Sequence, residues 1–153
     1  MGQGYDRWLS DDQQRVWRSW LFGTARVNQV LDDELRPHGL DLAEYEILVT
    51  LSEVPDRRLR MSDLATQVHQ SRSRLTHTIT RLEQRNAVRR TRCKQDGRGV
   101  VAQLTDEGFD LLERTAPHHV ESVRRIFVDA VDPDDYAALG RAMQSILAVD
   151  LSS

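Results

Sequence analysis

The chain has 153 residues, 39% of them hydrophobic, and a formal charge of -3, which sets one domain or two interlocked ones able to bury roughly 68–70% of the unfolded surface. A mean hydropathy of -0.55, no apolar run approaching ~18 residues and no apolar signal core in the opening residues exclude a membrane span and predict a soluble, cytoplasmic protein. The single cysteine, Cys93, excludes an internal disulfide framework and a thiolate-rich structural zinc site.

Ser10-Asp11-Asp12-Gln13 has the form of a capping box, in which the serine accepts a first-turn N–H and the glutamine reaches back. Val16, Trp17, Trp20, Thr24, Val27, Leu31 and Leu35 follow at helical spacing until Pro37 and Gly39. A helix of some 26 residues, roughly 39 Å long, exceeds what one small domain needs for its own core, so part of it should pack on something else. Asp41-Leu42-Ala43-Glu44 is a second capping box, opening a short helix over 41–53 that Pro55 ends.

Leu64, Ala65 and Val68 then define one short helix, and Leu75, Ile79 and Leu82 a second, with the break near His69-Gln70-Ser71. Ser71 is a good N-cap, and Asn86 tolerates the left-handed conformation that closes a helix. Two helices joined by about three to four residues form a helix-turn-helix skeleton. Burying the three apolar residues of the second helix leaves Ser73, Arg74, Thr76, His77, Thr80, Arg81 and Gln84 outside or flanking, a face rich in donors and free of acids.

From Val88 the pattern alternates and is β-branched on either side of Gln95-Asp96-Gly97-Arg98, which predicts a two-stranded hairpin over 88–93 and 99–104 with an Asp-Gly turn. A lone ribbon is marginal in water and must lean on the helices before it. Thr105 caps the next helix, with Asp106 and Glu107 in its first turn and an interruption or kink expected near Pro117. Asp132-Pro133 opens a last helix presenting Tyr136, Leu139, Met143, Ile146 and Leu147 on one side.

Charge is placed as tellingly as it is balanced. Residues 57–98 hold twelve Arg or Lys against Asp63, Glu83 and Asp96, a local +9, so the other 111 residues carry -12. Such sign asymmetry is expected where one surface meets a polyanion and the others must not. A helix of about 10–12 Å diameter fits the ~12 Å major groove, and Arg74, Thr76, His77 or Arg81 would reach base edges there. An arginine on a hairpin tip, as Arg98 is, suits the narrow minor groove. Arg72, Arg74, Arg85, Arg89 and Arg90 are candidates for phosphate contacts, with pairing to Glu83 as their alternative.

The order of elements, the run Asp96-Gly97-Arg98 and the following Leu104-Thr105-Asp106-Glu107-Gly108 resemble the MarR family of winged-helix transcriptional regulators. Ser71, Ser73, Leu75, Thr76, Ile79, Leu82, Glu83 and Val88 also fit its recognition-helix pattern, while Asn86-Ala87 stands where Gly-Leu is common. The resemblance covers about residues 10–150. It implies a mainly α fold with a small β-hairpin wing: a winged helix-turn-helix DNA-binding domain over 41–104, and a helical dimerisation region from 10–36 and 105–150.

It further implies a homodimeric repressor on a pseudo-palindromic operator in double-stranded DNA, contacted by Ser71, Arg72, Ser73, Arg74, Thr76, His77, Arg81 and Arg98, with Asp96 orienting Arg98. Family members often bind small phenolic or anionic effectors between the dimer helices and the DNA-binding lobe; Trp17, Trp20, Arg18, His38, Tyr45 and His118 are the residues here that would line such a pocket. Cys93, beside Arg92 and Lys94, offers a redox-responsive alternative, and a ligand-independent architectural protein is another. The adjacent His118 and His119 point to different helix faces, and no phosphate loop, catalytic triad order, cofactor fingerprint or metal-ligand spacing appears. An enzyme is not expected, and no cofactor is called for.

Overall fold

Both capping boxes close in the computed structural model, which describes residues 8–93, 97 and 99–151. Ser10 Oγ accepts the Gln13 N–H and Gln13 Oε1 accepts the Ser10 N–H at 3.2 and 2.9 Å, opening α1 (Asp11–Leu35). A 3₁₀ turn over Arg36–His38 ends on left-handed Gly39. Asp41 and Glu44 repeat the box at α2 (Leu42–Ser52).

After a 3₁₀ turn at Pro55–Arg57, the chain lays down β1 (Arg58–Arg60), α3 (Met61–Gln67), α4 (Arg72–Gln84), β2 (Val88–Arg92), β3 (Val100–Leu104) and α5 (Asp106–Val123). A five-residue π turn, Arg124–Val128, then leads to α6 (Pro133–Leu147).

Two helix ends close in the same way. At the end of α4 the Asn86 and Ala87 N–H groups bond to the carbonyls of Glu83 and Leu82, with Asn86 at φ 56, which is the Schellman arrangement. At the end of α3, His69 and Gln70 bond back to Thr66 and Ala65, with His69 at φ 51. This second closure sets the turn of the helix-turn-helix, and Ser71 follows at once as the N-cap of α4, its Oγ accepting the Arg74 N–H.

Two expectations need correction. The wing is a three-stranded antiparallel sheet in the order β1-β3-β2, rather than a two-stranded ribbon. Arg58, Leu59 and Arg60 pair with Gln103, Ala102 and Val101, supplying from before α3 the lateral support a lone hairpin lacks. And α5 runs unbroken through Pro117. A proline removes one backbone bond to the residue four before it, and the helix carries that loss; its departure from α geometry comes seven residues later, in the π turn.

One hydrophobic core joins α2, α3, α4 and the sheet. Ile47, Leu48, Leu51, Leu64, Leu75, Ile79, Leu82, Val88 and Ala102 are fully buried in it, with Leu35 and Leu112 closing the ends. The other helices behave differently. Of α1 only Leu31 and Leu35 are buried, and of α6 no residue is. Trp8, Val16, Trp17, Trp20, Leu21 and Phe22 at one end and Tyr136, Ile146, Leu147, Val149 and Leu151 at the other stay exposed in the single chain. No helix among the described residues is long and apolar enough to cross a membrane.

Candidate nucleic-acid interface

The inward row of α4 is Leu75, Thr78, Ile79 and Leu82. Helical periodicity therefore turns Ser71, Arg72, Ser73, Arg74, Thr76, His77, Arg81, Gln84 and Arg85 outward, and all nine are exposed. Part of this polar equipment serves the helix itself. Ser71 Oγ is the N-cap acceptor, and the hydroxyls of Thr76 and Thr80 donate to the carbonyls four residues back at 2.9 Å each. Thr76 keeps its acceptor lone pairs and methyl group for a partner, as a hydroxyl that donates once still can.

The arginines divide into two groups. Arg81 points its Nε at Glu44 Oε1 (2.9 Å) and its Nη2 at Asp41 Oδ2 (2.8 Å). Arg90 forks onto Glu83 Oε2 from Nε and Nη2 at 3.0 and 2.6 Å and gives a further bond to Thr80, while its backbone N–H bonds Glu83 Oε1. The Arg90 guanidinium holds the Glu83 carboxyl below the usual carboxylate range. This pair ties the first wing strand to the recognition helix. Arg89 bonds Gln103 across the sheet, and Arg57 lies 3.8 Å above the Phe109 ring and reaches Asp106.

Arg72, Arg74 and Arg85 carry no ion pair among the described residues. They form the uncommitted positive charge of α4. The local +9 of the sequence is thus smaller as free charge, because several of its arginines hold the fold together. Between the N-terminal half of α4 and the base of the wing runs a cleft of about 360 Å³, lined by Arg60, Met61, Ser62, Arg72, Leu75, Thr76, Arg90, Gly99 and Val100. Helix and wing therefore present one continuous face. The predicted wing-tip pair, Asp96 and Arg98, lies outside the described residues. Cys93, half-buried at the end of β2, has Arg60 Nη2 3.8 Å from its Sγ.

A MarR family model matches residues 40–100, the segment that builds this face. Over 93% of its length the chain is similar to AbsC, a MarR family transcriptional regulator from Streptomyces coelicolor, at 47% identity, 96% of that chain and a TM-score of 0.87. The chain belongs to the MarR family. Sco3205, a MarR family regulator of the same organism whose structure is in complex with DNA, is 41% identical over 95% of this chain and 91% of that one, with a TM-score of 0.90. PecS of Dickeya dadantii, an HTH-type transcriptional regulator, is 35% identical over 101 residues, so that the chain spans 61% of that relative's length.

In this MarR family member the six residues expected to share an effector pocket lie at three places. Trp17 and Arg18 line a surface hollow with Trp8, Leu9, Gln14 and Leu21, and Trp20 stacks on Trp17 at 5.3 Å. The rings of His38 and His118 lie 4.7 Å apart, tilted by 31°, in a second hollow near the π turn, where Glu34 bonds both Ser122 and Arg125. Tyr45 lies in a third. The separation follows from α1 itself, since Trp17 and Leu35 are about 27 Å apart along a helix rising 1.5 Å per residue.

That third cavity, of about 400 Å³, is lined from α1 by Asn28 and Leu31, from α2 by Leu42, Tyr45, Glu46, Val49 and Thr50, from α3 and its end by Gln67, Val68 and His69, and from α5 by His119. The rings of Tyr45 and His119 are 4.2 Å apart. His119 Nδ1 is buried and has no hydrogen-bond partner among the described residues, and burial pushes the imidazole below its ordinary value of 6.5. Burial likewise raises Glu46, against the lowering influence of Arg74 and His69. Sequence reading did not place His119 here. The signal was available: Leu112 and Thr115 are buried on α5, and His119 continues that stripe at i+7 and i+4.

Proposed function

We propose that the protein is a homodimeric, operator-binding repressor in which α4 enters the major groove and the wing tip follows the minor groove. The observation that carries this reading is the uncommitted donor row on α4, Arg72, Ser73, Arg74, Thr76 and His77, standing beside the wing on one face. Arg74, Thr76 and His77 read base edges, Ser71 and Arg72 hold the backbone at the helix N-terminus, and Arg98, oriented by Asp96, enters the minor groove. Similarity to AbsC and Sco3205 supports the assignment over nearly the whole chain.

The apolar residues that α1 and α6 leave uncovered form the dimer interface with a second copy. A two-fold pair places its recognition helices about 34–36 Å apart, one turn of the duplex, and so reads a pseudo-palindrome. In this reading residues 41–104 bind DNA and 10–36 with 105–150 hold the partner.

The Tyr45–His119 cavity is the effector site. Its volume lies within the range of ligand pockets, about 300–1,000 Å³, and its walls are mostly apolar with a few polar groups. Of phenolic and anionic compounds the phenolic class fits better, because an aromatic ring can pack on the apolar walls beside the Tyr45 and His119 rings whereas Glu46 in the wall opposes an anion. Occupancy there acts on α1, α2 and α3 together and changes the spacing of the two recognition helices by population shift.

The test is fluorescence anisotropy with the duplex recovered from genomic-fragment selection. Arg74→Ala should weaken that duplex by about 1–3 kcal/mol and leave a scrambled duplex much less affected. Equal losses on both would make Arg74 a phosphate contact, and uniform binding of all duplexes by the wild type would favour the architectural alternative.

A further inference from the structure

Arg81 differs from every other arginine on the outward face of α4 in being held by two carboxylates of another helix. Each of those carboxylates divides its oxygens. Asp41 Oδ1 accepts the Glu44 N–H at 2.7 Å and Oδ2 takes Arg81; Glu44 Oε2 accepts the Asp41 N–H at 2.9 Å and Oε1 takes Arg81. The guanidinium therefore closes a ring over the capping box of α2. From the other side Asp32 of α1 accepts the Leu42 N–H at 3.0 Å while its second oxygen binds Arg36. The N-terminus of α2 is a junction at which α1, α2 and α4 are joined by directional polar bonds.

We propose that Arg81 is a positioning residue for base readout: it does not touch DNA, and through Asp41 and Glu44 it fixes the pose of α4 on α2. This rests on the reading of α4 as the helix that enters the groove. Two physical arguments carry it. Glu44 is only 3% exposed, and withdrawing Arg81 to a phosphate would leave that carboxylate buried and unpaired, a strongly unfavourable state. Moreover, a planar fork bonded from two of its nitrogens to two separate acceptors fixes direction as well as distance. Base-edge contacts need that accuracy, being sensitive to sub-ångström misplacement, whereas phosphate contacts tolerate movement.

The two readings of Arg81 predict opposite signs for one conservative variant. Asn is as good an N-cap as Asp, and Gln serves as well as Glu at the third position of a capping box. Asp41→Asn/Glu44→Gln therefore keeps α2 capped while removing both negative partners of Arg81. Affinity of this variant, of Arg81→Ala and of wild type is measured on the selected operator and on a scrambled duplex of equal length, from about 50 to 200 mM salt, with thermal unfolding as a check.

We expect both variants to lose roughly tenfold on the operator, to bind the scrambled duplex as wild type does, and to keep the wild-type slope of log affinity against log salt. Tighter operator binding by the double variant would show that the carboxylates compete with DNA for Arg81, and would overturn the proposal. So would an Arg81→Ala loss equal on both duplexes with the slope reduced by about 1, the mark of a phosphate contact. Should Arg81→Ala fail to fold, the double variant decides by itself. A wild-type protein that does not discriminate the two duplexes would refute the reading of α4, whereas a normal response of Arg74→Ala beside an unaffected double variant would refute the role of Arg81 alone.

Discussion

Gly108 lies so close to Ala87 that a Cβ on the glycine would stand 2.0 Å from the Ala87 carbonyl oxygen and 2.7 Å from Leu104 Cδ1. The first turn of α5 is thereby pressed against the loop that joins the recognition helix to the wing. Thr105 fastens the same place, its hydroxyl donating to the Asn86 carbonyl at 2.5 Å and its N–H to that of Ala87 at 3.0 Å, while its oxygen caps Gly108 N–H. The Leu-Thr-x-x-Gly motif is a packing device in physical terms. Gly108→Ala should destabilise the protein by about 1–3 kcal/mol through overpacking against backbone that cannot swing aside, seen as a lower urea midpoint; an unchanged midpoint would mean that α5 can lift off this loop freely.

Arg90 and Glu83 join wing to recognition helix, and the pair is sensitive to acid. Because the folded state holds Glu83 below its ordinary value of 4.5, the pair's contribution is present above that value and is lost as the pH falls through the lower, folded one. Arg90→Ala should cost about 1–2 kcal/mol at neutral pH, a modest figure because both side chains are partly solvated. The cost should shrink towards pH 3 in chemical denaturation. A pH-independent difference would place the contribution of Arg90 in packing instead.

Much of this architecture was legible because local chemistry and global fold agree. Ser10, Asp41, Ser71 and Thr105 are caps at the positions where the sequence puts them, and the apolar row Leu75, Ile79 and Leu82 set the outward face of α4 without reference to any other element. What escaped was non-local. Arg58–Arg60 is too short and too charged to carry an alternating pattern, and becomes a strand only because β3 has a free edge there. Likewise the exposed position of Arg81 was correct, but its partners lie 37 and 40 residues away, and no spacing rule reaches that far. The six pocket candidates have suitable chemistry, but the 25 residues of α1 set Trp17 and His38 in separate hollows.

His119 predicts a second pH effect of definite sign. Its imidazole is pushed below 6.5 by burial, so the unfolded chain takes up that proton first. Its contribution is complete above 6.5 and declines as the pH drops from there towards the lower folded value. His119→Phe should lose less stability than wild type between about pH 7 and 5. Parallel profiles for the two proteins would show that His119 gains a proton as readily when folded.

Trp17 and Trp20, stacked and exposed at 50% and 37%, report on dimerisation directly. We expect a dimer at micromolar concentration in sedimentation equilibrium, with tryptophan emission shifting to the blue as it forms. Trp17→Ser should weaken association by about 2 kcal/mol or more, in the manner of a buried aromatic anchor. A wild-type protein that sediments as a monomer would remove the proposed interface.

Operator recognition requires that the donor row of α4 read sequence and not merely attract phosphate. Binding of the full chain to a pool of genomic fragments at two salt concentrations tests it most directly, since salt weakens phosphate attraction far more than base readout. We expect enrichment of a pseudo-palindrome with half-sites one helical turn apart that persists at the higher salt. Binding spread evenly over the fragments, or lost altogether as salt rises, would contradict it.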